Sequence, residues 1–325
     1  MKILITGGAG YVGSKLVPKL IDLGHGITVI DLMIYGSDVL ETHSQLTKIT
    51  GDIRNSELLK KIIPGHDIVI HLACISNDPS FELNPKLGKS INLDAFEPLV
   101  KICKESEVKR FIYASSSSVY GIKKVQNVTE DMKLEPLTDY SKFKGDCEKI
   151  LNNYKSENFI TTTIRPSTVC GYAKRQRLDL VVNILTNYAY NKREIKVFGG
   201  AQLRPNVHID DMVRSYVTII NAPSNKINGE IFNVGYKNQS VNELAQDVVS
   251  VIGDDIKIIN TKSDDNRSYH VSSQKIKDIL GFETSLTIKD AVNDLKLAFE
   301  KNLLPNSFSD EKYFNIKRMQ TLKMV

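Results

Sequence analysis

The sequence predicts an α/β protein with a Rossmann-type, doubly wound parallel sheet and a smaller C-terminal α/β lobe that binds the substrate. Two patterns predict the sheet. Short apolar runs without polar alternation recur between helix-like segments, which is typical of strands buried on both faces. A glycine-rich turn follows the first of these runs and opens a helix, as it does in dinucleotide-binding units.

Strand-like and helix-like patterns alternate over the first part of the chain. The predicted strands are Lys2–Thr6, Ile27–Asp31, Leu46–Thr50, Asp67–Leu72 and Arg110–Ala114. The predicted helices are Tyr11–Leu23, Glu57–Ile63 and Pro85–Ser106. This alternation favours parallel strands joined by right-handed crossovers.

The pattern changes after about residue 165. Helical segments mix with short strands, and a polar tail with few periodic features follows. These elements are the helices Asp179–Tyr190, Val241–Ile252 and Ile288–Asn302 and the strands Glu194–Phe198 and Glu230–Val234. We expect residues 1–165 to form the Rossmann domain, completed by segments near 205–235, and residues 166–325 to form mainly the second lobe.

Composition excludes several classes of protein. The 43 basic and 38 acidic side chains give a net charge of +5 but form no block, so we expect no nucleic-acid partner. The four cysteines are far apart and form no CxxC pair, which predicts no metal site and four reduced thiols in a cytoplasmic protein. No apolar run reaches the ~18 residues of a membrane span, so we expect no membrane partner.

The glycine turn and a following acidic residue predict bound NAD. Gly7, Gly10 and Gly13 allow a tight turn, and the helix N-terminus after them offers N–H groups to a diphosphate. Asp31, at the end of the second predicted strand, can accept hydrogen bonds from both ribose hydroxyls and would repel a 2′-phosphate. A purely structural turn beside an unrelated aspartate is the alternative.

A YxxxK motif predicts proton transfer. Tyr140 and Lys144 lie on one face of a helix. A free tyrosine has a pKa of about 10, but a nearby ammonium favours the phenolate. Tyr140 could then take a proton from a substrate hydroxyl as hydride leaves the same carbon. A serine-rich segment, Ala114–Gly121, follows the fifth predicted strand and lies at the sheet's carboxyl edge, where ligands of such sheets bind.

Together these motifs resemble the extended short-chain dehydrogenase/reductases, the family of NAD-dependent nucleotide-sugar epimerases and dehydratases. The resemblance covers nearly the whole chain. It is carried by the glycine motif, Gly51-Asp52-Ile53, His71-Leu72-Ala73, Asn92, the serine segment with Val119-Tyr120-Gly121, YxxxK, Arg165-Pro166 and His208-Ile209-Asp210-Asp211.

The resemblance implies roles for individual residues. Ser116, Tyr140 and Lys144 would be catalytic, and Lys144 would also bind the nicotinamide ribose beside Tyr140. The remaining cofactor residues would be Tyr11, Val12, Leu72, Ala73, Asp52 and Ile53, the last two in contact with the adenine. Asn92 would support the fold near the cofactor. His208 would make a structural hydrogen bond, and Asp210 and Asp211 would cap the next helix.

The implied substrate is a nucleotide-diphosphate sugar. Arg204 would grip its diphosphate, and Arg267 is a second candidate. Phe198 could stack on the base or equally be a core residue at a strand end. Ser118, Thr168 and Leu180 are further candidate substrate contacts.

The residues after Ser116 favour one reaction. Family members that dehydrate the sugar usually carry an acidic pair there, whereas this chain has Ser117 and Ser118, which cannot act as acids at neutral pH. The segment looks like that of UDP-hexose 4-epimerases. The expected reaction is therefore C4 epimerisation through a transient 4-keto sugar, with NAD retained throughout.

Several alternatives stay open. Residues 175–183 and 265–269 are more similar to a branch found among surface-polysaccharide enzymes, including 4-dehydrogenases of GDP-heptoses. A nucleotide-sugar 4-dehydrogenase or reductase, a 4,6-dehydratase and a non-catalytic dinucleotide-sensing protein are therefore alternatives. A role in polysaccharide biosynthesis follows from the same branch. The resemblance also implies a homodimer built from the helices near Pro85–Ser106 and Tyr140–Tyr154.

Overall fold

The computed structural model describes residues 1–123, 125, 127–262 and 270–324. Its strands are β1 Lys2–Thr6, β2 Gly26–Asp31, β3 Leu46–Thr50, β4 Ile68–His71, β5 Arg110–Ala114, β6 Ile160–Pro166, β7 Thr168–Cys170, β8 Glu194–Phe198, β9 Leu203–His208, β10 Glu230–Val234, β11 Asn238–Ser240 and β12 Lys257–Thr261.

The α-helices are α1 Gly13–Asp22, α2 Ser56–Ile62, α3 Asp78–Glu82, α4 Pro85–Lys89, α5 Phe96–Glu105, α6 Asp139–Tyr154, α7 Val181–Lys192, α8 Ile209–Asn221, α9 Ser224–Ile227, α10 Val241–Ile252, α11 Gln274–Leu280, α12 Ile288–Glu300 and α13 Asn315–Thr321. A π-helical segment, Ser90–Asp94, joins α4 to α5, and a 3-10 turn, Ser117–Tyr120, follows β5.

Seven parallel strands form the central sheet, in the order β10-β6-β5-β4-β1-β2-β3. The predicted α/β class with a doubly wound parallel sheet is confirmed. The order reverses between β1 and β4, so the crevice at their carboxyl ends is the expected ligand position. The distant strand β10 pairs with β6 and extends the sheet with residues from the second half of the chain.

Apolar side chains cover both faces of this sheet, as the unalternated strands require. One cluster packs α1 and α8 against β1, β2 and β6, with Leu16, Met212 and Tyr216 at its centre. The other packs α2, α5 and α6 against β4 and β5, and it includes Leu99 and Leu151. These two leucines are buried in the core of the chain.

The second lobe has its own small core. Helices α7, α10 and α12 pack on β8 and β12, which pair with each other in parallel. Strands β7, β9 and β11 form a third, three-stranded sheet. No helix among the described residues has the length and apolarity needed to cross a membrane.

Two local predictions were wrong. The segment Pro85–Ser106 is not one helix, because the π-helical segment interrupts it where buried Asn92 bonds both the N–H and the carbonyl of Ile75.

The N-cap of α8 is His208 and neither aspartate, because the His208 ring accepts the Asp210 N–H at 3.1 Å. Asp211 lies in the first turn and accepts the N–H groups of Ser285 and Leu286 instead.

His71 is a buried imidazole at the end of β4. It hydrogen-bonds the Thr6 hydroxyl at 2.7 Å and lies among the rings of Phe96, Phe111 and Tyr113. Burial, assisted by the charge of Lys144, lowers the pKa of His71 from 6.5 to about 3. The ring therefore stays neutral in the folded protein over the physiological range.

We predict an acid-dependent loss of stability that originates at His71. Below the ordinary pKa of 6.5 the unfolded chain takes up a proton that the folded chain does not, so stability falls as the pH falls. Between about pH 7 and about pH 5.5 this amounts to about 1 kcal/mol of the free energy of unfolding. Urea titrations at both pH values should show this difference shrink in His71→Gln. The exposed His43→Gln is the matched control, and an unchanged pH difference in His71→Gln would contradict the prediction.

Candidate active site

A cavity of about 580 Å³ opens at the carboxyl ends of β1, β4 and β5. Its wall combines the glycine turn, the loop after β4, the serine segment and the start of α6. The second lobe adds residues of the loop before α7, and Asn315, Met319 and Met324 add a wall from the end of the chain. The cavity thus lies at the switch point of the sheet, where the strand order reverses between β1 and β4.

The glycine turn leaves room that side chains would fill. Gly7 has φ +73°, and a Cβ there would meet the Ala73 backbone nitrogen at 2.5 Å. A Cβ on Gly13 would lie 2.3 Å from the Gly8 carbonyl oxygen. Glycine is required at both positions, because the neighbours are backbone atoms that cannot rotate away.

Asp31 lies at the end of β2, on the wall of the same cavity. Its carboxylate accepts the N–H groups of Ala9 at 3.0 Å and Met33 at 2.8 Å. Burial raises the pKa of Asp31, whereas these two hydrogen bonds and the charge of Arg175 oppose the rise. The side-chain-free turn and the fixed carboxylate fit the diphosphate and the adenosine ribose of NAD.

The other end of the cavity brings Ser116, Tyr140 and Lys144 together. Ser116 ends the extended run after β5, and its hydroxyl lies 2.8 Å from that of Ser118. Thr138 caps α6 and so places Tyr140 in its first turn. Lys144 is 4% exposed, donates to the Ala114 carbonyl at 2.6 Å and lies 5.9 Å from the centre of the Tyr140 ring.

The surroundings of Tyr140 act on its pKa in both directions. Burial raises the pKa above its usual value, and electrostatic interactions with Cys74 and Asp78 raise it further. The charge of Arg177 and a hydrogen bond from Ser116 lower it. Tyr140 is therefore a neutral phenol in the ligand-free protein, and an added positive charge in the cavity would favour its ionisation.

A buried ion pair supports this end of the cavity. Arg165 of β6 donates two hydrogen bonds to Glu148 of α6, at 3.0 and 2.6 Å. Ser115 donates to the same carboxylate at 2.5 Å, and Arg165 also donates to the Tyr120 hydroxyl at 2.6 Å. The helix that carries Tyr140 and Lys144 is thus tied to the serine segment and to the sheet.

The structure brings most of the expected site residues to this one cavity. The residues on its wall are Gly7, Gly10, Tyr11, Val12, Gly13, Asp31, Asp52, Ile53, Leu72, Ala73, Ser116, Ser118, Tyr140, Lys144, Thr168, Leu180 and Arg204. Asn92 is buried behind the wall, where it holds Ile75. Phe198 is 55% exposed at the end of β8 and is not among the lining residues. Arg267 lies outside the described residues.

Sequence reasoning did not assign several residues of the wall. Arg175 and Arg177 are buried there, and Arg177 is held by Asp179 at 2.9 Å. Among the described residues, Nε of Arg175 and Nη2 of Arg177 have no hydrogen-bond partner. The available signal was a pair of arginines two positions apart, in the loop between β7 and α7. Tyr35 and Asn315 also line the cavity, and their spacing in the sequence gave no such signal.

We predict that Gly13→Ala abolishes NAD retention. The added Cβ would collide with the Gly8 carbonyl and displace the turn, which should also reduce the free energy of unfolding by about 1–3 kcal/mol. NAD is measured by chromatography of the supernatant after the purified protein is denatured. Gly26→Ala is the matched control, since a Cβ there meets nothing within 4 Å. Equal NAD content in Gly13→Ala and the unmodified protein would refute the prediction.

Comparisons with known proteins identify the family of this chain. The model of the NAD dependent epimerase/dehydratase family matches residues 3–235. A protein described as an uncharacterised UDP-glucose epimerase in Bacillus subtilis is 31% identical over 250 residues, which are 72% of this chain and 77% of that protein. A UDP-glucose 4-epimerase of Lactobacillus helveticus is 26% identical over 274 residues, 77% of this chain and 82% of that protein.

A solved structure shows the same architecture. The UDP-glucose 4-epimerase of Thermotoga maritima, crystallised with UDP-glucose, superposes with a TM-score of 0.85 at 26% identity. The match covers 93% of this chain and 100% of the Thermotoga maritima chain. The chain therefore belongs to the NAD-dependent epimerase/dehydratase family, and NAD is its cofactor.

Proposed function

We propose that this protein epimerises a nucleotide-diphosphate sugar at C4, through a transient 4-keto sugar. The proposal rests on one observation: Ser116, Tyr140 and Lys144 lie close together at one end of the NAD cavity. The relatives described above, which are named as UDP-glucose epimerases, support the nucleotide sugar and the reaction.

In the proposed reaction, Tyr140 takes the proton of the C4 hydroxyl and later returns it. NAD, when bound, would accept the hydride of C4 and give it back to the opposite face of the ketone, and it would bring a positive charge into the cavity. Lys144 holds a second positive charge near the Tyr140 ring, and both charges favour the phenolate. Ser116 donates a hydrogen bond toward the reacting oxygen, beside the phenol that it already contacts.

The absence of a carboxylate in the serine segment favours epimerisation over dehydration. Elimination of water needs an additional acid and base, and the hydroxyls of Ser117 and Ser118 supply neither at neutral pH. Asp78 lies on the cavity wall, where Thr138 donates to its carboxylate at 2.6 Å. This carboxylate keeps dehydration open as an outcome of the product analysis below.

Two arginines on the cavity wall suit a nucleotide diphosphate. Arg204 lies on the wall, and one of its Nη groups donates to the Leu203 carbonyl at 2.9 Å. Arg177 adds a buried guanidinium whose charge acts on Tyr140. Arginine is suited to such contacts because its planar group can donate two parallel hydrogen bonds to phosphate oxygens.

We predict that Tyr140→Phe reduces turnover by about 10²- to 10⁴-fold, because the acid and base are lost. The NAD content of the purified protein should stay equal to that of the unmodified protein. The test is turnover of UDP-glucose and UDP-glucuronate, followed by chromatography of the sugar products. Tyr154→Phe, at the other end of the same helix, is the matched control and should keep full turnover. Undiminished turnover in Tyr140→Phe would overturn the mechanism.

We further predict that turnover leaves external NAD unchanged. The protein is mixed with excess NAD and each nucleotide sugar, while the ultraviolet absorbance of NADH and the mass of the products are followed. Epimerisation gives a product of equal mass and no accumulation of NADH. Steady accumulation of NADH would identify a 4-dehydrogenase instead. A product that has lost one water would identify a dehydratase.

A further inference from the structure

We propose that residues 304–324 form a strap that closes the cofactor cavity, and that Asn315 is the positioning residue that keeps NAD bound between catalytic cycles. The inference rests on NAD as the cofactor and is independent of which sugar reaction follows. It concerns the polar tail in which the sequence pattern predicted few features.

The strap starts from the second lobe. Ser307 exchanges two hydrogen bonds with Asn187 of α7, at 2.7 and 3.3 Å. The Phe308 ring packs on Tyr188 with 5.0 Å between ring centres. The Leu178 N–H donates to the Tyr313 carbonyl at 3.0 Å. The first half of the strap is therefore fixed to the lobe.

The second half of the strap crosses to the Rossmann domain at Asn315, which is 4% exposed. Its side-chain oxygen accepts from the Tyr35 hydroxyl at 2.9 Å and from the Arg175 guanidinium at 2.5 Å. Its amide group donates to the Ser76 hydroxyl at 3.0 Å, and its backbone N–H donates to Asp179 at 3.0 Å. One side chain thus joins three separate segments of the cavity wall to the strap.

Two further residues of the strap, Met319 and Arg318, attach it to the cavity wall. Met319 is 3% exposed and packs in the cluster of Ile53 and Phe81. Ile53 is the residue that the family resemblance assigns to the adenine. Arg318 donates to the Ile34 carbonyl at 2.5 Å, in the loop that follows Asp31. The strap therefore covers the adenosine half of the cofactor site.

Arg175 indicates what the closed strap holds in place. It is 4% exposed, and its guanidinium lies 3.6 Å from the centre of the Tyr35 ring. Its Nε has no hydrogen-bond partner among the described residues, and a buried donor of this kind needs an acceptor. Its charge also acts on Asp31. The diphosphate of NAD is an anion of the right chemistry for this donor, and Asn315 fixes the position of the guanidinium.

Release of NAD therefore requires the strap to open. Opening breaks the four hydrogen bonds of Asn315 and exposes Met319, so the open state is rare and dissociation is slow. This explains in physical terms how a cofactor that is recycled in place would stay with the enzyme.

The experiment measures NAD retention without any sugar substrate. Each protein is saturated with NAD, passed through a desalting column, and its remaining NAD is followed with time. Asn315→Ala should lose NAD about tenfold faster or more, because its side-chain hydrogen bonds to Tyr35, Arg175 and Ser76 are lost. Excess NAD should restore full occupancy of the variant, which separates faster release from misfolding. The exposed Gln320→Ala, in the same helix, should retain NAD like the unmodified protein.

A second variant keeps the test decisive if Asn315→Ala fails to fold. Tyr35→Phe keeps the ring beneath Arg175 and removes only the hydrogen bond to Asn315, so we expect NAD loss about fivefold faster. Unchanged retention in both variants would overturn the proposal. It would equally be overturned if the unmodified protein lost NAD on the column, or if Gln320→Ala lost it as fast as Asn315→Ala. These outcomes do not depend on sugar turnover, so failure of the proposed epimerisation is recorded separately.

Discussion

The buried pair of Arg165 and Glu148 is the interaction on which the proposed catalytic end of the cavity depends. Both charges are removed from water, and their hydrogen bonds to each other, Ser115 and Tyr120 satisfy them. Loss of one partner of such a pair typically costs about 3–5 kcal/mol, because the other charge stays buried. The pair joins α6 to β6 and to the end of β5. The positions of Tyr140, Lys144 and Ser116 therefore follow from one contact in the protein interior.

The two ends of the cavity are built by different physical means. At the cofactor end, the missing side chains of Gly7 and Gly13 let backbone segments approach each other, so shape is the main determinant. At the proposed catalytic end, buried polar side chains are the main determinant, and burial raises the pKa of Tyr140. His71 is kept neutral behind this end, beside the buried ammonium of Lys144. A neutral imidazole there adds no further positive charge to the cavity.

Strands β1 to β5, the glycine turn and the YxxxK motif could be predicted from the sequence because each follows from local pattern or from spacing. The strand Lys2–Thr6 and the motif from Tyr140 to Lys144 are examples. The contacts of Asn315 with Tyr35 and Arg175 could not be predicted, because they join positions far apart in the chain and leave no periodic trace. The π-helical segment escaped prediction for a related reason, since Asn92 bonds the backbone of a distant loop. His208 was missed as a cap because histidine is an unusual residue at that position.

Tyr11 connects the glycine turn to the second lobe, and this contact has a thermodynamic consequence. Its hydroxyl donates to the Gly171 carbonyl at 2.5 Å and accepts from Asn183 of α7 at 3.0 Å. The same lobe carries Arg177 and Leu180 on the cavity wall. A ligand that moved this lobe would therefore also act on the glycine turn through Tyr11. By linkage, the sugar nucleotide and NAD change each other's affinity by the same factor.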